Sequence, residues 1–454
     1  MQHLFAHLSL QSFSALSRLC VTLVVSSLAV NAHATTTETV LTNGLKVIIK
    51  EDHRSPVVMS QIWYKVGSSD ESGRTLGISH VLEHMMFKGT TKVPHDEFTR
   101  LSRQFGGRIN ASTFFNYTNY YQLYPTAYFP LALELEADRM SNLQLRQQDL
   151  EPEVRVVMEE RRQRTDDNPR AVAFERFKQM TYPTSPYRQP VIGTMDTLQN
   201  IRLKDVQDWY KTWYRPNNAI LVIVGDVKAQ DAILQVQKYF GDIPAGELPQ
   251  RQSVTERREL SYRHMDLQMN VQTPNLYMAW NVPSLNTAEH PKDAYTLNIL
   301  RSLLDGGTAS RLQARLVKEQ QILTAVKVSY DPYNRGDSLF SLSAVPHSGV
   351  SFEQAQAAIE QEIALIAKEA VKQSEIDRFT TRFIANSTYS QDDISNQANL
   401  IGNFEVNGLS HRLIAQLPQH YLSITPADVQ RVAEQYLTRT RLSTMYLSPE
   451  NTAP

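Results

Sequence analysis

Two α+β domains of similar size, each an antiparallel sheet packed with helices and related to the other by an internal pseudo-repeat, are the fold this sequence predicts. Three observations carry that expectation. The chain has 454 residues, more than one hydrophobic core usually organises. An amphipathic helix followed by a strand occurs twice: "LKDVQDWYKTWY" (Leu203 to Tyr214) before "NNAILVIVGD", and "PADVQRVAEQYL" (Pro426 to Leu437) before "TRLSTMYLSP", with Asp-Val-Gln at 205–207 and again at 428–430. Between the halves lies "GELPQRQSVTERREL", Gly246 to Leu260, a polar stretch with a proline that reads as a linker.

The elements follow in order. Asn43-Gly44 between two apolar, β-branched runs predicts a hairpin, and Val57 to Val66 a further strand. Leu76 to Lys88 has helical spacing through Leu76, Val81, Leu82, Met85 and Met86, with Gly89 as terminator. "NASTFFNYTNYYQLYP", from Asn110, has the aromatic and threonine content of a strand, while Pro130 to Leu145 and Pro152 to Arg164 read as helices. In the second half Asn275 to Ser284 is a strand and Lys292 to Leu304 a helix, repeating the order found after Val57.

Composition narrows the function. Hydrophobic residues make up 41% and charged residues 20%, ordinary for a globular chain, and the formal net charge of -1 gives no electrostatic attraction to nucleic acid or an anionic membrane. No acidic residue occurs before Glu38, and Arg18 precedes the apolar run "LCVTLVVSSLAV", which leads to Ala32-His33-Ala34. This order predicts a secretory signal peptide over residues 1–34, periplasmic export, and no membrane anchor after cleavage. A mitochondrial transit peptide would carry more arginine and no compact apolar run. The only cysteine, Cys20, falls inside this leader, so a metal in the mature chain would be held by His, Asp or Glu.

"SHVLEHMMFKGT" supplies such ligands. His80 and His84 lie one turn apart on one helix face, within reach of a single ion, and Glu83 is beside them where it can take a proton from water. The competing reading is a solvated helix with two chance histidines. A catalytic zinc takes three protein ligands and keeps one position open. "EPEVRVVMEERRQRTDDNP" offers Glu153 and Glu160, seven residues apart on one face, with Glu159 as a rival one position away. A charged amphipathic helix with Val154, Val156 and Val157 inward explains the same stretch. Ligand chemistry alone also admits manganese or cobalt.

Motif, spacing and flanks resemble the M16 metallopeptidases, the family of pitrilysin, insulin-degrading enzyme and the mitochondrial processing peptidase. The family pattern is H-x-x-E-H followed roughly 75 residues later by a glutamate ligand in an E-x6-E helix; here Glu160 follows His84 by 76 positions. The resemblance extends through "GGRINASTFFNYTNYY", "SPYRQPVIGT", "YRPNNAILVIVGDV" and "LLDGGTASRLQARLVKEQQIL". It implies two LuxS/MPP-like metallohydrolase domains, a catalytic one over 35–250 and one lacking the zinc motif over 251–454. It implies one Zn2+ per chain on His80, His84 and Glu160, Glu83 as general base, and Glu153 as support for a ligand. Asn110, Ala111 and Thr113 would lie on an edge strand along which a peptide or unfolded protein substrate adds itself; an ordinary core strand is the alternative, to which Phe114 and Tyr120 also conform.

The chain departs from the family at one place. An arginine and a tyrosine seven residues apart, expected from the second half, fall on Val317 and Thr324, and the spacing of Arg315 and Tyr330 does not replace them. The resemblance therefore implies a zinc-bearing subunit that acts as a homodimer or as a heterodimer with a second M16-like chain. A noncatalytic or chaperone-like assembly subunit is the rival expectation.

Overall fold

The computed structural model describes residues 36–450 apart from 96, 252, 257–259 and 370; the leader expected over 1–34, with Cys20, lies outside the described residues. Asn43-Gly44 turns the chain between β1 (Thr36–Val40) and β2 (Lys46–Glu51), which pair antiparallel. With β3 (Val57–Tyr64), β4 (Arg108–Thr113), β5 (Thr118–Pro125) and β6 (Ala219–Gly225) they form a six-stranded sheet in the order β1-β2-β6-β3-β5-β4. β6, "AILVIVG", is buried at every position. That uninterrupted apolar run suits a strand flanked on both sides and covered on both faces.

A second sheet contains β7 (Arg263–Met269), β8 (Asn275–Val282), β9 (Leu323–Ser329), β10 (Ser338–Pro346) and β11 (Leu442–Pro449), ordered β7-β11-β8-β10-β9. Set beside β2-β6-β3-β5-β4, the two orders coincide strand for strand. β6 runs parallel to β2 and antiparallel to β3; β11 runs parallel to β7 and antiparallel to β8. The repeat is therefore topological, and each sheet is antiparallel except for this one pair. The two helix-then-strand segments marked by Asp-Val-Gln are the elements that lead into β6 and β11.

The domains exchange a helix. Pro169–Thr181, from the first half, lies on the second sheet, where Ala173 and Phe177 pack with Ala279, Met445 and Leu447. Ile394–Val406, from the second half, lies on the first sheet, where Ala398, Ile401 and Val406 pack with Ile48, Met59, Trp63, Ile220, Val222 and Val224. Gly402 is required there: a Cβ would stand 2.1 Å from the Trp63 ring. Ion pairs border this contact, with Lys46 on Glu405 at 2.7 Å and His411 Nδ1 on the same carboxylate at 2.7 Å.

Several expected bounds shift. The segment from Asn110 is a hairpin of two strands, β4 and β5, rather than one strand, because Phe114 and Tyr117 close a turn whose Asn116 is buried and bonded to Asn334 and Asn407 of the second half. The helix expected to start at Pro152 begins at Gln147 and runs to Arg161; the proline sits inside it on an exposed face, where its missing N–H forfeits one hydrogen bond. The helix expected over Leu76 to Lys88 is Ile78–Met85. No helix among the described residues is long and apolar enough to cross a membrane.

Candidate metal centre

Helix Ile78–Met85 is held between the first sheet and helix Gln147–Arg161, with Ile78, Val81, Leu82 and Met85 in the core. Its start is fixed by a residue the sequence reading did not single out. Glu71 accepts from the Gly77 amide through Oε2 at 2.6 Å and from the Ser79 amide through Oε1 at 2.8 Å, so a buried carboxylate caps the helix that carries both histidines. Burial pushes Glu71 up to about 7. Gly77 itself has φ +93° and its Cα approaches that of Gly193 too closely for a side chain: a Cβ there would meet Ile192 O at 2.7 Å.

On this helix His80 and His84 stand with ring centroids 5.0 Å apart and planes 88° to one another. Glu160 arrives from the neighbouring helix: its Oε1 is 3.8 Å from His80 Nε2 and its Oε2 is 3.5 Å from His84 Nε2. One ligand atom from each of the three lies within 4.8 Å of the others, and this is the one such group of three among the described residues. Glu159 turns outward and bonds Arg162 and Gln163 instead, so the geometry selects between the two neighbouring glutamates. Arg164 Nη1 is paired with Glu160 Oε1 at 2.5 Å.

Two imidazoles and one carboxylate match the donor set of a catalytic zinc, with a fourth position left for water. The protonation state of His80 agrees. Burial, with the charges of His84 and Arg164 behind it, lowers His80 to about 3, so its ring is neutral and its nitrogen available to a cation. His84 is oriented by Glu153, whose Oε2 lies 3.1 Å from Nδ1, which leaves Nε2 facing Glu160. Burial pulls His84 down, but that hydrogen bond and the surrounding carboxylates Glu83, Glu153 and Glu160 hold it above its ordinary value. Lys88 Nζ pairs with the other oxygen of Glu153 at 2.5 Å.

Glu83 faces β4. Thr113 Oγ1 donates to Glu83 Oε2 at 2.6 Å, and burial lifts the carboxyl above its usual range against that bond. β4 is an edge strand, paired with β5 alone, and it packs beside the helix of the histidines. Asn110 is exposed on it and Ala111 buried; Asn110 Oδ1 accepts from the Ala111 amide at 2.9 Å. Of the three residues assigned to the substrate strand, Thr113 thus has its side chain engaged by Glu83. Arg315 and Tyr330 are committed elsewhere, to Glu362 at 2.8 Å and to the Pro283 carbonyl at 2.7 Å, and Thr324 is exposed on β9.

Relatives and structural neighbours of this chain include proteins named as proteases. The family profile Insulinase (Peptidase family M16) matches residues 46–195, and Peptidase M16 inactive domain matches residues 200–382. The zinc protease PqqE of Helicobacter pylori is 30% identical, covering 98% of this chain and 100% of its own length. A crystal structure of a protease from Helicobacter pylori superposes with TM-score 0.84 at 30% identity, over 92% of this chain and 100% of that one. The first half of the periplasmic protease PqqL from Escherichia coli gives TM-score 0.77 at 19% identity, over 91% of each chain. The duplicated α+β fold is that of two-domain M16-like peptidases. The chain belongs to peptidase family M16, the family its sequence resembled, and its relatives are named zinc proteases.

Proposed function

We propose that this chain is a zinc-dependent metalloendopeptidase that cuts peptides or unfolded protein segments in the periplasm. The observation that carries the reading is the convergence of His80, His84 and Glu160, from two helices, with Glu83 beside them and an open sheet edge alongside. His80, His84 and Glu160 would hold one zinc ion, with Glu153 fixing the His84 ring. A zinc ion bound there supplies a Lewis acid that polarises the scissile carbonyl and acidifies a water. Glu83 takes the proton of the attacking water and passes it to the leaving amine. The peptide pairs its backbone with β4 near Asn110 and Ala111, a mode that tolerates many side chains.

The leader pattern and the likeness to a periplasmic protease support export, with residues 1–34 removed, a catalytic domain over 35–250 and a second domain over 251–454. Val317 and Thr324, standing where an Arg-Tyr pair is expected, favour assembly with a second copy or a second M16-like chain that completes the site. The same observation favours a second reading, a noncatalytic subunit of the same fold. Cleavage of a mixed set of unstructured peptides by the purified chain Thr35 to Pro454 with zinc, against E83Q, decides. Turnover lost in E83Q with zinc retained supports the enzyme. A zinc-loaded chain that cuts nothing, alone or with the partner that copurifies, supports the second reading.

A further inference from the structure

Thr113 enters from sequence as one of the residues along which a peptide lies, yet its hydroxyl is spent on Glu83. The bond is short, 2.6 Å from Oγ1 to Oε2, as expected when a hydroxyl donates to a charged carboxylate. No other hydrogen bond reaches the Glu83 side chain among the described residues. Without it, a glutamate side chain near the end of a helix that ends at Met85 would move among rotamers, and only some of them bring an oxygen towards the histidine cluster.

The donor is itself fixed. Thr113 is the last residue of β4 and pairs with Thr118 on β5, and a β-branched side chain on a strand has few rotamers. Its Oγ1 lies 3.5 Å from Thr118 Oγ1, and Thr118, fully buried, donates to the Val66 carbonyl at 3.0 Å. The Thr113 hydroxyl, its backbone held by pairing with Thr118, donates to the carboxylate, while Thr118 donates to Val66. The Thr113 bond engages Oε2 and leaves Oε1 free to accept a proton. The strand that supplies the anchor is also the edge on which the peptide would lie, so one element sets the position of both base and substrate.

We infer that Thr113 is a positioning residue that holds the Glu83 carboxylate for proton transfer, rather than a contact to the bound peptide. The inference rests on the proposed role of Glu83. Its test uses T113V, which keeps the shape and removes the hydroxyl, T113S, which keeps the hydroxyl, and E83Q. For T113V kcat falls about ten- to a hundredfold while KM stays within about twofold and zinc content is unchanged, as loss of one hydrogen bond to a charged group implies. T113S regains most of that kcat. In crystals of zinc-free T113V the Glu83 carboxylate leaves the position it holds in the parent chain. A raised KM with kcat unchanged would make Thr113 a peptide contact and overturn the inference, as would full activity in T113V. If E83Q keeps its turnover, the assignment of Glu83 as base fails and the inference with it; if E83Q is dead and T113V is fully active, only the Thr113 inference fails.

Discussion

Removing the Glu153 carboxylate is expected to weaken zinc binding without unfolding the chain. Glu153 makes two contacts, to His84 Nδ1 at 3.1 Å and to Lys88 Nζ at 2.5 Å, with its side chain 12% exposed. E153A deletes both. The His84 ring loses the acceptor that keeps Nε2 towards Glu160, and the Lys88 ammonium, 21% exposed, is left unpaired beside a site meant for a cation. Losing such an orienting partner costs about ten- to a hundredfold in metal affinity. Because E153A adds the stranded charge, its expected loss is the upper figure, about 2.8 kcal/mol at about 1.4 kcal/mol per tenfold. E153Q keeps an acceptor for Nδ1 and drops only the charge, so about tenfold is expected. Adding K88M to E153A should recover part of the loss. Zinc affinity is read by competition with a chromophoric chelator, with circular dichroism and Tm as controls on folding. An E153A chain that binds zinc within about twofold of the parent would refute the reasoning that Glu153 orients His84.

Two predictions concern the domain contact. G402A places a methyl 2.1 Å from a Trp63 ring that is 2% exposed and tied through Nε1 to Gln61 at 3.0 Å. Overpacking of about 1–3 kcal/mol is opposed by about 1 kcal/mol of helix propensity, so the net result is a lower Tm; a raised Tm would show that the ring moves freely. Glu405 titrates at about 2, because the His411 and Lys46 partners outweigh the burial that opposes them, against an ordinary value of 4.5. A carboxylate depressed on folding stabilises fully above its unfolded value and loses that contribution as pH falls through the folded one. Stability of the zinc-free parent should therefore drop from about pH 4.5 towards about 2 more steeply than that of E405Q, and parallel melting curves across that window would contradict it.

The metal helix was legible because its evidence is local: a spacing of four residues on a helix puts two imidazoles on one face whatever surrounds them. Glu160 was preferred to Glu159 through the spacing of the family the sequence resembles, and the structure separates the two by orientation, a property that adjacent glutamates do not show in sequence. Glu71 was not legible, since it caps a helix from six residues before Gly77, outside any local capping pattern. The β4–β5 turn was missed for a related reason. "FFNY" contains neither Gly nor Pro, and what bends it is Asn116, held by Asn334 and Asn407 more than two hundred residues away in sequence. The exchanged helices were hidden too, because an apolar helix face reads the same whichever sheet it covers.

That exchange leaves the candidate metal centre within the first domain. His80 and His84 belong to a helix embedded in the first core. Glu160 sits at the end of Gln147–Arg161, which continues through Arg162–Asp166 into Pro169–Thr181, the helix docked on the second sheet. Glu160 nevertheless stands in the first domain with the two histidines, because Leu150 and Val157 of its helix lie in the first core and the helix packs on Ile78–Met85. The second half has the duplicated strands but uses its corresponding helix, Pro291–Asp305, structurally: Asp293, fully buried, takes Arg431 at 2.5 Å and Tyr436 at 2.8 Å, and Asn298 bonds Tyr421 at 2.7 Å. The His80, His84 and Glu160 cluster is therefore set within one core, and G402A, which disturbs a different contact, is expected to lower Tm while leaving zinc affinity unchanged. Weakened zinc binding in a folded G402A chain would show that the docking of the two domains also sets these three residues.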